Sequence, residues 1–374
     1  MRVLIAPDKF KGTLTAEAVA EAIAEGWRSI RPQDSLELLP ISDGGDGFGE
    51  LLGRVLGAEE RQAETVDAAH RPLTASWWWE PERRLAIVES ARVIGIALLP
   101  PGQFHPFELD TLGLGQLLRQ IEKEVRPTEC LIGIGGSATN DGGSGMARGV
   151  GWRFWDADGQ EIDRWTELTR LVRAEPPEKP VSLGRIRVAV DVQNRLLGPE
   201  GATRVYGPQK GMRPEDFPKA EAALARLVEV MNQTPGVPHG VEQEPGSGAA
   251  GGLGYGLRTF LGAELVPGFA LFAGLTGLEE RIRGADIVVT GEGALDRTTL
   301  TMGKGVGGVA ELCRKHRVPV VAVVGRAEIP EDVPNPFFKI GALVPDVCSL
   351  EEAMREPAKW LRTLIARMLS EWER

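Results

Sequence analysis

The feature that most constrains this chain is a glycine-rich stretch between Gly133 and Met146. An apolar run at 130–132 precedes the stretch and predicts the end of a buried strand. The stretch contains six glycines and four grouped polar residues, namely Ser137, Thr139, Asn140 and Asp141. Glycine lets backbone N–H groups approach a ligand, and such groups at the start of a helix favour an anion such as phosphate. A carboxylate beside them can bind Mg²⁺ or accept a hydroxyl proton, so the pattern suggests phosphoryl transfer. The alternative is a tight strand-to-helix turn with an Asn/Asp cap.

Similar loops recur along the chain, and we predict that most of them follow strands of a parallel sheet. They lie at residues 8–12, 43–47, 191–211, 246–254 and 291–304. Ligands bind at the carboxyl ends of strands in such sheets. The sequence has neither the GxxxxGK[ST] phosphate loop nor the protein-kinase motif set. A GxGxxG match occurs at Gly246, Gly248 and Gly251, but no predicted strand precedes it, which disfavours a dinucleotide-binding site. A nicotinamide oxidoreductase is therefore kept only as a weak alternative function.

Composition limits the class of protein. The chain has 374 residues, which favours two domains, and 42% of them are hydrophobic, as in ordinary globular proteins. The formal charge of -10 argues against nucleic acid as a partner. Three widely separated cysteines argue against a disulfide framework, and four histidines without ligand spacing argue against a zinc site. No apolar run is long enough to span a bilayer, so we expect no membrane partner. The cysteine usage fits a reducing cytoplasm. We expect either a monomer or a homodimer.

The order of predicted elements indicates an α/β fold with one domain inserted in another. Strands at 3–6 and 36–41 alternate with helices near both, and a parallel pattern returns at Ile287–Thr290. Between them, strands at 65–66, 73–79 and 85–89 indicate antiparallel pairing, with Trp77–Trp79 packed in a core or an interface. We therefore predict a discontinuous Rossmann-like parallel-sheet domain at 1–64 and 285–374. A second α/β domain with a mixed sheet would occupy 65–284, with a cleft between the two domains.

The motifs together resemble those of the type I glycerate kinase family over nearly the whole chain. The matching stretches are residues 6–12, 43–47, 133–143, 191–194, 207–211, 246–252, 290–293 and Asp296, in the order of the family. The resemblance implies ATP-dependent phosphorylation of D-glycerate, with 2-phosphoglycerate favoured over 3-phosphoglycerate as the product. It also implies a Rossmann-like domain that carries an inserted α/β domain.

The resemblance implies ATP as a cofactor and glycerate as the small-molecule substrate, and the acidic loops predict Mg²⁺ as a further cofactor. Together they lead us to expect a defined set of site residues. The expected catalytic residues are Asp191, Asp141, Lys9, Lys304 and Asp296, with Asp191 or Asp141 as the base or metal ligand. The expected metal ligands are Asp191 and Asp43. The expected substrate- and nucleotide-binding residues are Asp8, Asp43, Gly44, Gly45, Gly135, Gly136, Ser137, Thr139, Asn140, Asn194, Lys210, Gly248, Gly251 and Glu292.

Two alternatives to this function remain open. Near Thr298, in the loop between Asp296 and Lys304, the chain departs from the family pattern. This departure motivates a second hypothesis, a non-catalytic sensor that binds glycerate or a sugar acid. A kinase for a related small hydroxy acid is the other alternative.

Overall fold

A computed structural model describes residues 1–302, 305–330 and 332–372. In this part of the chain the strands are β1 Arg2–Ile5, β2 Ser35–Leu38, β3 Glu59–Val66, β4 Pro72–Glu80, β5 Leu85–Glu89, β6 Glu129–Gly133, β7 Arg153–Asp156, β8 Leu171–Glu175, β9 Arg185–Val190, β10 Glu264–Pro267, β11 Ile287–Thr290, β12 Ala294–Leu295, β13 Val320–Ala327 and β14 Lys339–Val344. The α-helices are α1 Ala16–Ile30, α2 Phe48–Leu56, α3 Ala91–Ile94, α4 Leu112–Val125, α5 Ser144–Gly149, α6 Ala202–Tyr206, α7 Phe217–Met231, α8 Ala249–Leu261, α9 Gly268–Thr276, α10 Leu278–Gly284, α11 Arg297–Met302, α12 Val306–His316, α13 Leu350–Arg355 and α14 Pro357–Trp372.

The chain divides into two compact units, and the fold is α/β, as predicted. The split unit consists of Met1–Asp43 and Phe269–Arg374, and the inserted unit is Gly44–Gly268. This division falls at 43/44 and 268/269, whereas the sequence analysis placed the boundaries at 64/65 and 284/285. The reason at the first crossing is helix packing, since a Cβ added to Gly49 or Gly53 of α2 would touch Trp78 on β4. That contact assigns α2 to the inserted unit.

The split unit contains a parallel sheet with the strand order β14-β13-β11-β1-β2, and β12 extends along the end of β13. Helix α1 begins where Thr15 accepts a hydrogen bond from the N–H of Ala18. Its side chains Ile23 and Trp27 pack with Leu361 and Ile365 of α14 in one apolar core against the sheet. Burial of both helices on one sheet face fits the fully apolar strands of a parallel sheet.

The inserted unit contains a mixed sheet with the order β10-β9-β6-β5-β4-β3. Strands β5, β6, β9 and β10 are parallel, whereas β4 is antiparallel to both β3 and β5. The three tryptophans 77–79 all lie in β4 and are at most 7% exposed, so their core packing is confirmed. Strands β7 and β8 form a separate antiparallel pair. None of the helices in the described ranges combines the length and the apolar character needed to cross a membrane.

Candidate active site

In the split unit, Asp8 and Glu292 lie where the order of strands reverses. The chain leaves β1 for β2 on one side, whereas it leaves β11 for β13 and β14 on the other. Asp8 follows β1 and Glu292 follows β11, and the backbone N–H of Asp8 donates to the carbonyl of Gly291 over 2.8 Å. Open parallel sheets bind ligands at such a reversal, outside the carboxyl ends of the strands.

Carboxylates crowd this end of the sheet and disfavour each other's ionisation. Burial raises the pKa of Asp8 to about 7, and the charge of Asp43 adds to the effect, while Lys9 opposes it. Burial likewise raises the pKa of Glu292 to about 7, with further contributions from Asp8, Asp296 and Asp43. The Oε1 atom of Glu292 is buried without a hydrogen-bond partner among the described residues. A cationic ligand would relieve this repulsion.

The side chain of Asp296 is hydrogen-bonded to residues that directly follow it in the chain. Its Oδ1 atom accepts hydrogen bonds from the N–H and the hydroxyl of Thr298, at 2.8 and 2.5 Å, and from the N–H of Thr299 at 3.2 Å. These bonds, led by the one from the Thr298 hydroxyl, lower the pKa of Asp296. Asp296 therefore caps α11, and its catalytic role stays a prediction. The predicted catalytic Lys304 lies outside the described residues.

In the inserted unit, Asp141 anchors the stretch from Gly133 to Met146, which we call the central loop. Its Oδ2 atom accepts from the N–H and the hydroxyl of Thr111, at 3.0 and 2.7 Å, and from the N–H of Gly145 at 2.9 Å. Its Oδ1 atom accepts from the N–H of Gly143 at 3.2 Å. The side chain is fully buried, and this burial raises its pKa although the hydrogen bonds oppose the shift. Asp141 thus holds the loop, and its role as a base or a metal ligand stays a prediction.

Lys210 holds the same loop from another direction. Its Nζ atom donates to the carbonyl of Thr139 over 2.6 Å and lies 3.5 Å from Ser137 Oγ. Burial lowers the pKa of this lysine to about 7, while the charge of Asp141 partly opposes the shift. Asn140 donates to the hydroxyl of Thr203 at 3.0 Å and is likewise buried. The polar side chains of the loop therefore face inward.

The segment around Gly248 and Gly251 packs directly on the central loop. Gly142 N–H donates to the carbonyl of Gly251 over 3.1 Å, and a Cβ at Gly251 would lie 1.9 Å from the Thr139 oxygen. Residues Ala250, Gly251 and Gly252 all have positive φ, which breaks the start of α8. A side chain at Gly251 is thus excluded both by its conformation and by the space.

Asn194 and Asp191 follow β9 in the same unit. The carbonyl of Asn194 accepts from Gly248 N–H at 2.9 Å, and its side chain accepts from the Tyr206 hydroxyl at 2.6 Å and donates to Glu200. Asp191 is partly exposed, and its Oδ1 atom accepts from Gly268 N–H over 3.2 Å. The strand end therefore links the glycine segment to a partly accessible carboxylate.

The predicted glycines of two loops also meet within the inserted unit. Gly135 N–H donates to the carbonyl of Gly44 over 3.2 Å, and a Cβ at Gly135 would lie 2.5 Å from the Gly45 Cα. Gly135 and Gly136 keep some solvent exposure, unlike the polar side chains that follow them. Their backbone is thus the part of the central loop that a ligand can reach.

Sequence reasoning missed the residues that hold these loops. The buried carboxylate of Glu89 accepts from the N–H groups of Gly47 and Gly49, at 2.9 and 3.1 Å, and so occupies the start of α2. An acid at the end of the otherwise apolar β5 was the available signal. Thr111 precedes α4, but its hydroxyl bonds to Asp141 and no capping bond from its side chain is present.

No group of three or more Asp, Glu, His or Cys side chains within the described ranges is arranged to hold one metal ion. Protein Mg²⁺ sites commonly use one or two carboxylates and complete their shell with phosphates and water. The roles of Asp43 and Asp191 as metal ligands stay predictions.

Comparison with known proteins identifies the family of this chain. A model of the glycerate kinase family matches residues 3–373. The glycerate kinase of Halalkalibacterium halodurans is 35% identical over 365 residues, which cover 95% of this chain and 93% of that protein. The glycerate 2-kinase of Escherichia coli strain K12 is 34% identical with the same coverage.

A crystal structure of a protein assigned as glycerate kinase 2 from Salmonella typhimurium LT2 superposes with a TM-score of 0.82 at 32% identity. The match covers 100% of this chain and 98% of that one. The resemblance predicted from the motifs is thereby confirmed, and a catalytic protein is favoured over a sensor. This chain belongs to the glycerate kinase family and is accordingly a kinase, for which ATP is the implied phosphate donor and a small molecule the implied acceptor.

Proposed function

We propose that this kinase phosphorylates D-glycerate with ATP and Mg²⁺ and forms 2-phosphoglycerate, acting in the cytoplasm. The family match over residues 3–373 carries the proposal, and the name of the Escherichia coli relative supports the 2-position. The site chemistry is compatible with it, since backbone glycines of the central loop are accessible while a buried lysine and a buried aspartate hold them in place.

We assign the role of general base to Asp191 rather than to Asp141. Asp191 is partly exposed at the end of β9, whereas Asp141 is fully buried and accepts four hydrogen bonds from the protein. As the substrate oxygen attacks the γ-phosphorus of ATP, its proton passes to the Asp191 carboxylate and the bond to the bridging oxygen breaks to release ADP. Asp141 acts as a positioning residue through the loop.

The lysines divide in the same way. Lys210 is buried on the Thr139 carbonyl, so it contributes by fixing the loop whose backbone N–H groups would receive phosphate. Lys9 follows the carboxylate of Asp8 in the split unit and would offset phosphate or carboxylate charge there, as would Lys304.

The carboxylates fit a hard divalent cation. Asp43, Asp8 and Glu292 repel one another, and a buried oxygen of Glu292 lacks a hydrogen-bond partner among the described residues. Oxygen donors of this kind suit Mg²⁺, which prefers carboxylates, phosphates and water. Asp43 and Asp191 are the ligands we propose. When bound, Mg²⁺ neutralises charge on the β- and γ-phosphates.

The reaction is tested by incubating the purified protein with ATP, Mg²⁺ and D-glycerate. We expect ADP release that depends on D-glycerate, and a phosphorus NMR signal of the product that is split into a doublet. The doublet arises because a phosphate on the 2-oxygen couples to the one proton on that carbon, whereas a 3-phosphate couples to two. A triplet would exclude the 2-position, and a folded protein without D-glycerate-dependent ADP release would refute the kinase assignment.

The base is tested by Asp191→Asn, which keeps the size and the bond from Gly268 but cannot take a proton. We expect kcat to fall by roughly 10²–10⁴-fold, the usual contribution of a positioned base. The control is Asp158→Asn, at an exposed carboxylate in the turn after β7, for which no change is expected. Equal losses in the two variants would show that Asp191 is not the base.

The acidic group predicts a pH dependence of stability in metal-free buffer with EDTA. The carboxyl of Glu292 has a pKa of about 7 in the folded protein, whereas the ordinary pKa of a glutamate side chain is 4.5. Between these two pKa values the folded state binds more protons than the unfolded state. The contribution of Glu292 to the free energy of unfolding is therefore present at low pH and is lost as the pH rises through 7. At pH 8, the free energy of unfolding of Glu292→Gln should therefore be about 1–3 kcal/mol higher than that of the parent protein.

At pH 5 the same variant should differ little from the parent. Glu21→Gln, at an exposed position of α1, serves as the matched control and should have no effect at either pH. Urea unfolding followed by circular dichroism measures the difference. A Glu292→Gln variant that is less stable than the parent at pH 8 would contradict the proposed repulsion.

A further inference from the structure

A cavity of about 540 Å³ lies in the inserted unit, beside Asp191 but outside the contacts described so far. Its lining includes Val190 and Val192, the two residues that flank Asp191 at the end of β9. Residues of β10 and of the turn before it form a second wall, and Glu244, Pro245 and Arg258 form a third. The volume falls in the range of about 300–1,000 Å³ that is usual for sites of small molecules and cofactors.

The walls of this cavity suit an uncharged, hydrogen-bonding group better than an anion. Val192, Pro245 and Leu265 supply apolar surface, and Gln193 supplies an amide. Arg258 in the lining is already engaged, since its Nε atom donates to Glu244 over 3.2 Å. Glu264, the other carboxylate of the lining, pairs with Arg185 at 2.7 Å. With its positive charge compensated in this way, the cavity offers little attraction to phosphate or to a small acid.

The glycine segment that we expect to bind nucleotide lies directly beside the cavity. Pro245 of the lining is followed by Gly246, where the segment with Gly248 and Gly251 begins. A Cβ at Gly246 would lie 2.8 Å from a methyl group of Val190, so the glycine segment lies against the same strand end as the cavity. The order of cavity and glycine segment corresponds to the order of parts in a nucleotide, whose flat base and ribose are joined to phosphates.

We propose that this cavity binds the nucleoside part of the phosphate donor, so that its phosphates extend towards the glycine segment and Asp191. The inference rests on the proposed function for its donor, ATP. The apolar walls would hold the faces of the base, as is common in nucleotide sites. Gln193 would bond the edge of the base, and Glu244 would accept from the ribose hydroxyls, as acidic residues do in other nucleotide sites.

The first test fills the cavity with Leu265→Trp. Leu265 is partly buried on the edge strand β10. We expect the KM for ATP and the Kd for ADP to rise at least tenfold, while the KM for D-glycerate stays within twofold. Val172→Trp, at an exposed position of β8, is the matched control and should leave all three constants unchanged. An increase in the KM for D-glycerate alone, or an unchanged Kd for ADP, would overturn the assignment.

A second variant covers the case in which the tryptophan impairs folding. Gln193 is exposed, so Gln193→Ala should leave the melting temperature unchanged. We expect this variant to lose much of the preference for ATP over GTP in kcat/KM. An unchanged ratio would overturn the role of Gln193 and, together with an unchanged Kd for ADP in Leu265→Trp, the whole inference.

Direct binding separates this inference from the proposed reaction. Equilibrium dialysis with ADP and no glycerate measures nucleotide binding in the absence of turnover, with adenosine and inorganic tripolyphosphate as competitors. Adenosine should compete with ADP on the parent protein and fail to bind Leu265→Trp, whereas tripolyphosphate should bind both. If the parent protein binds ADP in this way but does not turn over D-glycerate, the proposed substrate is wrong and the nucleoside site stands. If adenosine does not compete, the nucleoside site is refuted whatever the substrate.

Discussion

The central loop depends on a carboxylate that the protein keeps out of water. Asp141 is fully buried, and its two oxygens accept four hydrogen bonds from Thr111, Gly143 and Gly145. Loss of one partner from a buried network of this kind costs about 1–3 kcal/mol because the remaining group cannot return to water. These hydrogen bonds fix the loop from its buried side. Glycine is required at position 145, because a Cβ there would lie 2.7 Å from the backbone of Thr111 and Leu112. Rigid placement of backbone donors is what phosphoryl transfer requires of a protein.

The two units supply different chemistry. The split unit offers carboxylates at the strand reversal, where Asp8 and Glu292 are held with raised pKa values. The inserted unit offers glycine backbone, a buried lysine and the partly exposed Asp191. A bound cation would offset the repulsion between the carboxylates, and a bound anion would accept hydrogen bonds from the exposed backbone N–H groups. The Mg²⁺ and ATP of the proposed reaction would account for both features.

Much of the fold could be predicted from local sequence patterns. Strands Leu85–Glu89 and Ile287–Thr290 occupy the predicted residues, because their apolar residues and their flanking residues agree. Strand Glu59–Val66 was recognised only at its last two residues, since an edge strand rich in charge lacks that pattern. The domain boundary depends on Trp78 packing against two glycines of α2, a contact that no local pattern reveals. For the same reason the sequence indicated polar loops but could not show that Ser137, Asn140 and Asp141 point inward.

The most direct test of this account asks which groups of the loop meet phosphate. Amide nitrogen NMR of the ¹⁵N-labelled protein can follow a titration with ADP, residue by residue. The account predicts that the signals of Gly135 and Gly136 shift on binding, because these two glycines are the solvent-accessible part of the central loop. The signals of Gly143 and Gly145 should stay in place, because Asp141 already holds their N–H groups. Saturable ADP binding that moves Gly143 and Gly145 and leaves Gly135 and Gly136 unchanged would contradict it.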